Sequence, residues 1–480
     1  MPWIVCGSTC KHLQFLHSIH KKGEIDLCDN YRGISILPIL AKVFEKLLAI
    51  RILKYFNDNS LFTSQQHGFR PGFSCETALQ TILDKWKYLI DELHILFTIF
   101  IDFKKAFDLI NPELLFLKLV HYGFDNQAIN LIRNYFSDRK QMTKIGAICS
   151  DTAPLEIGVP QGSILGPLFF LIFINDLSFL SPIANILYAD DTTAYTFSNV
   201  SLEIVTRDFH EKFAFMLEWC KFNQMTINWS KTKIMFLTKK HVTFPDFVTI
   251  DNSKVEVVHS FKLLGCVIDD KLSFSDHLDH IKSGVHFKLR GLAMLSFLNQ
   301  EVKMQFFKTF ILPHFDYCIS LAIYYPKHLI DQLEKLYNYC LFKLCNIKLS
   351  VKSYKTFIPL DLQAQSNLLK DFNLMPFRYR LFYRLSLFSY KILNRQILLN
   401  IFSSIQFHDT ETLERQRKQH FSLCATPNWR TYAGTKRLSY FLPNFVNVVL
   451  KNSFNLSFND FNSFITDNLR LLYDNFCKVF

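Results

Sequence analysis

Glycine and proline are scarce in this chain, fourteen and fifteen of 480 residues. That scarcity excludes collagen-like and low-complexity architectures, which need far more of both. Cysteine occurs twelve times, but never as a C-x-x-C pair and never beside histidine at zinc-finger spacing. The sequence therefore predicts reduced thiols and a cytosolic or nuclear setting. Long hydrophobic runs are also missing. The two longest, near 93–101 and 164–174, are closed by Asp102 and by Asn175-Asp176, short of the ~18 residues a membrane span requires. No signal peptide is legible at the start, and no internal repeat is visible.

What is present points to a globular chain with a sizeable interior. Hydrophobic residues make up 49% and fifty residues are Phe, which a disordered segment would not carry. The length suits two to four domains, or one large core with additions. Lys and Arg outnumber Asp and Glu by 54 to 42, a formal charge of +12. A basic balance of this size suits an acidic partner, either nucleic acid or an anionic membrane surface.

Residues 1–29 read as a truncated start, and the chain as a piece of a longer protein. From Pro38 onward, Leu40, Val43, Phe44, Leu47, Leu48 and Leu53 recur at helical spacing, with Lys42, Glu45, Lys46 and Arg51 on the other side. The pattern predicts an amphipathic helix whose apolar side packs on a core. The run "ILFTIFID" (95–102) is short, β-branched and aromatic, as a buried strand ending on a carboxylate would be. Asn111-Pro112-Glu113 then supplies an N-cap, a first-turn Pro and an acidic residue for a helix that runs to Gly123. "GVPQGSILGPLFFLIFINDL" (158–177) reads as a punctuated loop followed by a helix apolar on every face. "ILYADDTTAYTF" reads as a hairpin whose turn carries Asp190 and Asp191. Beyond about 275 the patterns are long and helical, as in 328–347, and the polar stretch 408–420 is the candidate linker before a last segment.

An isolated Asp pair between strands is more often a solvated turn than a metal site, and the chain has a second pair, Asp269-Asp270. Asp102, at the end of an apolar strand, changes the balance. Unpaired buried carboxylates cost several kcal/mol unless a cation compensates. Three convergent carboxylates without His or Cys favour Mg²⁺ or Mn²⁺ over zinc. Two such ions ~3.5 to 4 Å apart would clamp the oxygens of an in-line phosphoryl transfer.

Seven blocks follow one another in a recognisable order: "NYRGISILPILAKVFEKLL" (30–48), "QHGFRPGFSCETAL" (66–79), "IDFKKAFDLI" (101–110), "GVPQGSILGPLFFLIFINDL" (158–177), "YADD" (188–191), "NQMTINWSKTKIMF" (223–236) and "KLLGCVID" (262–269). Together they resemble the motifs of reverse transcriptases from non-LTR, LINE-type retrotransposons, close to the jockey group. "LPHFDYCISL" (312–321) and "TYAGTKRLSYFLPNFVN" (431–447) are similar to the C-terminal part of those proteins.

The resemblance implies an α+β right-hand polymerase: a palm with an antiparallel sheet, fingers and a helical thumb, plus a helical C-terminal region. Fingers and palm would occupy 30–275, the thumb or connection 276–405, and a last segment 406–480. It implies two Mg²⁺ ions, with Mn²⁺ as a substitute, held by Asp102, Asp190, Asp191 and the Phe103 backbone. Lys231 would protonate the departing pyrophosphate, and Lys22 and Arg32 would meet the triphosphate. Phe107 would lie under the sugar and exclude a ribose 2′-hydroxyl. Gln161 and Gly162 would form the turn against the templating pair, and Leu264-Gly265 the primer grip.

By residue type alone, Lys22, Arg32 and Lys231 are also what solvated surface cations look like. Phe107 is equally what a core ring looks like, and Gln161-Gly162 a plain turn. Gly33 stands where most members of the family have Pro, which leaves Arg32 in place with a looser backbone. No endonuclease segment is visible before residue 30, and no Cys/His knuckle after 275.

The expected partners are an RNA template, a DNA primer or nicked target DNA, and deoxynucleoside triphosphates, with no membrane. The expected setting is a cytoplasmic ribonucleoprotein and the nucleus. The competing reading is a degenerate element copy that keeps the fold and binds RNA without catalysis.

Overall fold

The apolar strand expected at 95–102 lies at the middle of a six-stranded sheet. The structure, a computed structural model, describes residues 13–20, 23–24, 26–27, 30–145, 148–293, 297–345, 374–394, 437–447, 453 and 456–479. The described chain falls into two compact units. The first is drawn from Met1–Ser74, Phe97–Ile234 and Val242–Val257, the second from Cys75–Leu96, Met235–His241 and Val258–Phe480.

The elements that lie wholly or, for β3 and β9, partly in the first unit run β1 (Leu13–His20), β2 (Tyr31–Ser35), α1 (Ile39–Asp58), β3 (Ile95–Ile101), α2 (Pro112–His121), α3 (Asn126–Phe136), β4 (Lys140–Ile145), β5 (Ile148–Cys149), β6 (Ala153–Pro154), α4 (Leu165–Leu180), β7 (Ala184–Tyr188), β8 (Asp191–Ser198), α5 (Leu202–Phe222), β9 (Lys233–Leu237), β10 (Phe247–Ile250) and β11 (Ser253–Val257). The larger sheet has the spatial order β10-β11-β9-β3-β8-β7, and a smaller one has β2-β1-β4-β5 with β6 beside β4. β7 pairs antiparallel with β8, and β10 with β11, while β11 runs parallel to β9.

All seven residues of β3 are buried, which is why the run carries no polar alternation. α4 is buried from Leu165 to Ile174 except at Pro167. Each large apolar side chain sealed there contributes on the order of 1.5–3 kcal/mol. Its one buried amide, Asn175, is fully used: it accepts from Thr63 N at 2.9 Å and donates to Leu61 O and Tyr122 Oη, both at 2.8 Å. Phe97 of β3 stacks on Phe209 of α5, with ring centroids 3.9 Å apart. Asn111 caps α2 as its sequence predicts, accepting from Glu113 N at 2.9 Å.

α1 corrects an expectation. The helix forms, but its buried residues are Glu45, Ala49, Ile52 and Phe56. Leu40, Val43, Phe44 and Leu47, expected against the core, are exposed, Leu40 to 76%. The assignment failed because it placed Glu45 outside, where an unpaired carboxylate belongs. Glu45 is instead paired inside, accepting from Ile164 N at 2.6 Å and facing the Tyr135 hydroxyl at 3.2 Å.

In the second unit, the helix Cys75–Asp91 places Gln80 between Ser320 Oγ and Tyr324 Oη, each at 2.8 Å, and Asp84 against Arg437 at 3.0 Å. The expected helix at 328–347 is observed as Lys327–Cys345, and Asp316 binds Arg380 and Arg384. The proposed linker at 408–420 lies outside the described residues. The described cysteines Cys75, Cys149, Cys220, Cys266, Cys318, Cys340 and Cys477 are free thiols. Among the described residues no helix is long and apolar enough to cross a membrane.

Candidate active site

Asp102 is the first residue past β3, so the buried strand fixes its backbone while its side chain stays only partly covered. The segment 226–228 runs alongside it: Asn228 N donates to Asp102 O at 2.7 Å, Lys104 N to Thr226 O at 2.8 Å, and Phe103 bridges Ile227. The carboxylate itself accepts from Asn228 Nδ2 at 2.8 Å and faces Lys231 Nζ at 3.8 Å. Lys231 and Asp102 were expected in one site and are found together. Asn228 was not singled out, although it lies within the block at 223–236 that carried the lysine.

The second pair of carboxylates comes from the β7–β8 hairpin. Tyr188 pairs with Asp191, so the two-residue turn is Ala189-Asp190, and Asp191 already belongs to the strand. Ala189 is left-handed, φ 57°, a conformation that costs an ordinary residue about 1–2 kcal/mol. The segment 65–68 holds the turn. Leu187 N donates to Gln65 O at 2.9 Å and His67 N to Leu187 O at 2.8 Å. Gln66 Oε1 accepts from Ala189 N at 2.9 Å and from Gly68 N at 2.8 Å, and Gln66 Nε2 donates to Ala189 O at 3.3 Å. A Cβ on Gly68 would stand 2.3 Å from Ala189 N, so only glycine permits this approach.

The three carboxylates share one neighbourhood. Asp191 is pushed up to about 6, first by desolvation against the protein wall and then by the negative charges of Asp190 and Asp102. Like charges held this close favour a cation between them. Among the described residues no group of three His, Cys, Asp or Glu side chains is placed so as to hold a metal ion. The donor set nevertheless fits hard divalent ions, being all oxygen, and the residual repulsion at Asp191 is what a bound cation would relieve.

The sign of the Asp191 shift fixes a pH window. A raised carboxyl pKa means that the fold favours the protonated form. Its contribution is complete below the ordinary 3.8 and is lost as pH rises through about 6. Asp191→Asn is therefore expected to raise the melting temperature of the free protein at pH 8, with the difference closing as pH falls from about 6 toward 4. Melting curves across that range check it, and a constant difference would contradict the shift.

Phe107 stacks on Phe170 of buried α4 at 4.4 Å and meets Phe69 edge-on at 6.2 Å. It is only half-buried, so it is neither a sealed core ring nor a free one. Gln161 Nε2 donates to Asp108 Oδ1 at 2.8 Å, and Ser35 N of β2 donates to Gln161 O at 2.7 Å. Gly162 has φ 120°, and a Cβ there would lie 2.5 Å from Ser35 O. The turn is thus sterically reserved for glycine.

Two buried ions frame the same loop. Arg139 Nη1 donates to Gly158 O at 3.1 Å, and Glu45 accepts from Ile164 N at its other end. Burial raises the Glu45 carboxyl, partly offset by those backbone donors and by Arg139. Burial lowers the Arg139 guanidinium. Neither residue was singled out from sequence.

The remaining expected residues belong to the second unit or are not described in full. Lys22 lies outside the described residues, and Arg32 is described only as a backbone position in β2. Leu264 and Gly265 belong to the second unit, as the turn of a hairpin between β12 (Ser260–Leu263) and β13 (Cys266–Asp269). Both are left-handed, φ 46° and 85°, which makes a tight bend of the I′ kind. Tyr317 Oη donates to Leu264 O at 2.7 Å and supports it. The second Asp pair is structural: Asp269 accepts from Lys271, Ser273 and Phe274 amides, and Asp270 pairs with His259 at 2.8 Å.

With this geometry in hand, comparison with known proteins identifies the class. The model of the family described as reverse transcriptase (RNA-dependent DNA polymerase) matches residues 19–268, and the chain belongs to that family. Among its relatives is a probable RNA-directed DNA polymerase from transposon X-element of Drosophila melanogaster. It is 27% identical over 317 residues, which are 64% of this chain and 34% of the relative. The RNA-directed DNA polymerase from mobile element jockey of the same species is 25% identical over 309 residues, 62% of this chain and 33% of the relative. The chain thus spans about a third of the length of these curated relatives. Among solved structures, telomerase from Candida tropicalis in complex with a TWJ fragment of telomeric RNA aligns at TM-score 0.40 and 12% identity. That alignment covers 97% of this chain and 66% of the other.

Proposed function

We propose that the chain is the polymerase part of a non-LTR, LINE-type retrotransposon: an RNA-directed DNA polymerase that extends a DNA 3′-end along an RNA template and releases pyrophosphate. The observation that carries this reading is the match of residues 19–268 to the reverse-transcriptase family; the Asp191 carboxyl, raised first by burial and then by the charges of Asp190 and Asp102, supports it. Asp102, Asp190, Asp191 and the Phe103 carbonyl would hold two divalent ions, Mg²⁺ with Mn²⁺ as substitute. When bound, those ions supply Lewis-acid stabilisation of the attacking and leaving oxygens.

The protein's own groups do the rest. Lys231, beside Asp102, is the proton donor for departing pyrophosphate. Lys22 and Arg32 offset the triphosphate charge, Gln161-Gly162 abuts the templating pair, and Leu264-Gly265 steadies the primer. The partners are an RNA template, a DNA primer or nicked target, and deoxynucleotides. The setting is a cytoplasmic ribonucleoprotein and the nucleus. Fingers and palm occupy 30–275, with the thumb or connection over 276–405. A catalytically degenerate RNA-binding copy is the weaker reading, because every carboxylate the chemistry needs is intact.

On this reading the Phe107 ring, backed by Phe170, would lie under the sugar and exclude a 2′-hydroxyl. In primer extension on an RNA template with deoxy- and ribonucleotides in competition, the wild type is expected to incorporate only deoxynucleotides. Phe107→Val is expected to raise ribonucleotide incorporation by ~10-fold or more, since a clash of this kind is worth at least ~1.4 kcal/mol. An unchanged preference would remove Phe107 from that role. No extension by the wild type with either nucleotide class would count against the polymerase reading itself.

A further inference from the structure

Gln66 is the buried polar side chain the chemistry above leaves unused. It is 1% exposed and lies in the first unit with the hairpin that carries Asp190. Its amide reads both main-chain groups of Ala189, accepting from Ala189 N at 2.9 Å and donating to Ala189 O at 3.3 Å. The same Oε1 also accepts from Gly68 N at 2.8 Å. A carboxamide accepts through its oxygen and donates through its nitrogen, so one side chain meets all three groups. A carboxylate would lose the donor and add charge beside Asp190, and Met would lose both functions. Arg70 Nη1 in turn donates to Gln66 O at 3.2 Å, fixing the backbone from which the amide projects.

The peptide so held is the one that needs holding. Ala189 is left-handed without the freedom of glycine, and Asp190 follows directly, so any relaxation of Ala189 re-aims the Asp190 carboxylate. We infer that Gln66 is a positioning residue for the polymerisation step, its carboxamide locking the left-handed Ala189 turn and thereby the direction of Asp190. This rests on the reading of Asp190 as a carboxylate of the reactive centre.

The test uses the full chain, with Gln66→Met, Gln66→Glu, the double variant Gln66→Met/Ala189→Gly, and Asp190→Asn as control. In the free protein, amide hydrogen exchange of the peptide containing Ala189 is expected to quicken at least ~10-fold in both Gln66 variants. Exchange in the β7–β8 pairs away from the turn should stay at the wild-type rate. In primer extension, kcat is expected to fall ~100-fold, the scale on which small misplacement of a reacting group acts, with KM for the nucleotide within ~3-fold.

The double variant is expected to regain most of the lost kcat, because glycine adopts the left-handed turn without a Cβ clash. A packing defect would not be repaired in this way. Quickened exchange with wild-type kcat would overturn the inference, as would parallel loss of kcat and KM with no rescue. Should Gln66→Met fail to fold, Gln66→Glu carries the same exchange and kcat readouts. Wild-type extension by Asp190→Asn would instead overturn the underlying site assignment, whatever the Gln66 variants do.

Discussion

Asp190→Asn is expected to reduce primer extension by ~10³-fold or more while leaving RNA binding and the melting temperature close to wild type. The size follows from removing a fixed charge at the point where charge develops in the reaction, which costs 10²–10³ for a single hydrogen-bond donor and more for a carboxylate that holds an ion. The selectivity follows from placement. Asp190 sits in a two-residue turn at the sheet edge, between a buried Ala189 and the first residue of β8. The neutral amide keeps the shape of the side chain, and the turn is held through Gln66 to Ala189 rather than through the Asp190 carboxylate. On the proposed function, affinity for template and primer would come mostly from phosphate contacts across a basic chain. Extension and filter-binding assays on one preparation check both halves, and undiminished extension by the folded variant would remove Asp190 from the centre.

Glu45→Ala is expected to carry the largest stability effect, a loss of about 1–3 kcal/mol, the cost of leaving buried hydrogen-bond donors unsatisfied. Glu45 is 4% exposed and accepts from Ile164 N at 2.6 Å and more distantly from Leu165 N at 3.4 Å, where α4 begins. Truncation strands those amides, opens a cavity against Tyr135 and removes a negative charge that favours the Arg139 guanidinium. Arg139 holds Gly158 O, so the loop from 158 to 164 loses support at both ends, and the turn at Gln161-Gly162 loosens with it. Denaturant unfolding measures the loss. A change below about 1 kcal/mol would show that the network contributes no more than surface pairs do.

The parts of this site that were legible in the sequence are those written in local pattern. The apolar run before Asp102, the β-prone runs on either side of Asp190-Asp191 and the all-apolar helix after Gly162 each announce one element, and each is observed. The ordered blocks joined them into one family. What was not legible depends on partners more than a hundred residues away. Nothing near Glu45 says that its carboxylate will meet the start of α4 at Ile164, so the helical periodicity placed the wrong face of α1 inward. Nothing near Gln66 says that its amide will read Ala189. Asp190-Asp191 and Asp269-Asp270 look alike as dipeptides. Only the fold separates a pair whose second member feels the charge of Asp102 from one whose first member accepts from three local amides.

The proposal that Asp102 and the β7–β8 turn hold divalent ions in common can be tested without reference to turnover. Fe²⁺ taken up in place of Mg²⁺, then exposed to peroxide and ascorbate, cleaves the backbone beside its ligands. On the template–primer complex the cuts are expected at two places in the chain, around 102–103 and around 189–191. Both should be suppressed by excess Mg²⁺ and both lost in Asp190→Asn. Cleavage confined to one of the two segments, or spread without regard to Asp190, would contradict a shared metal centre.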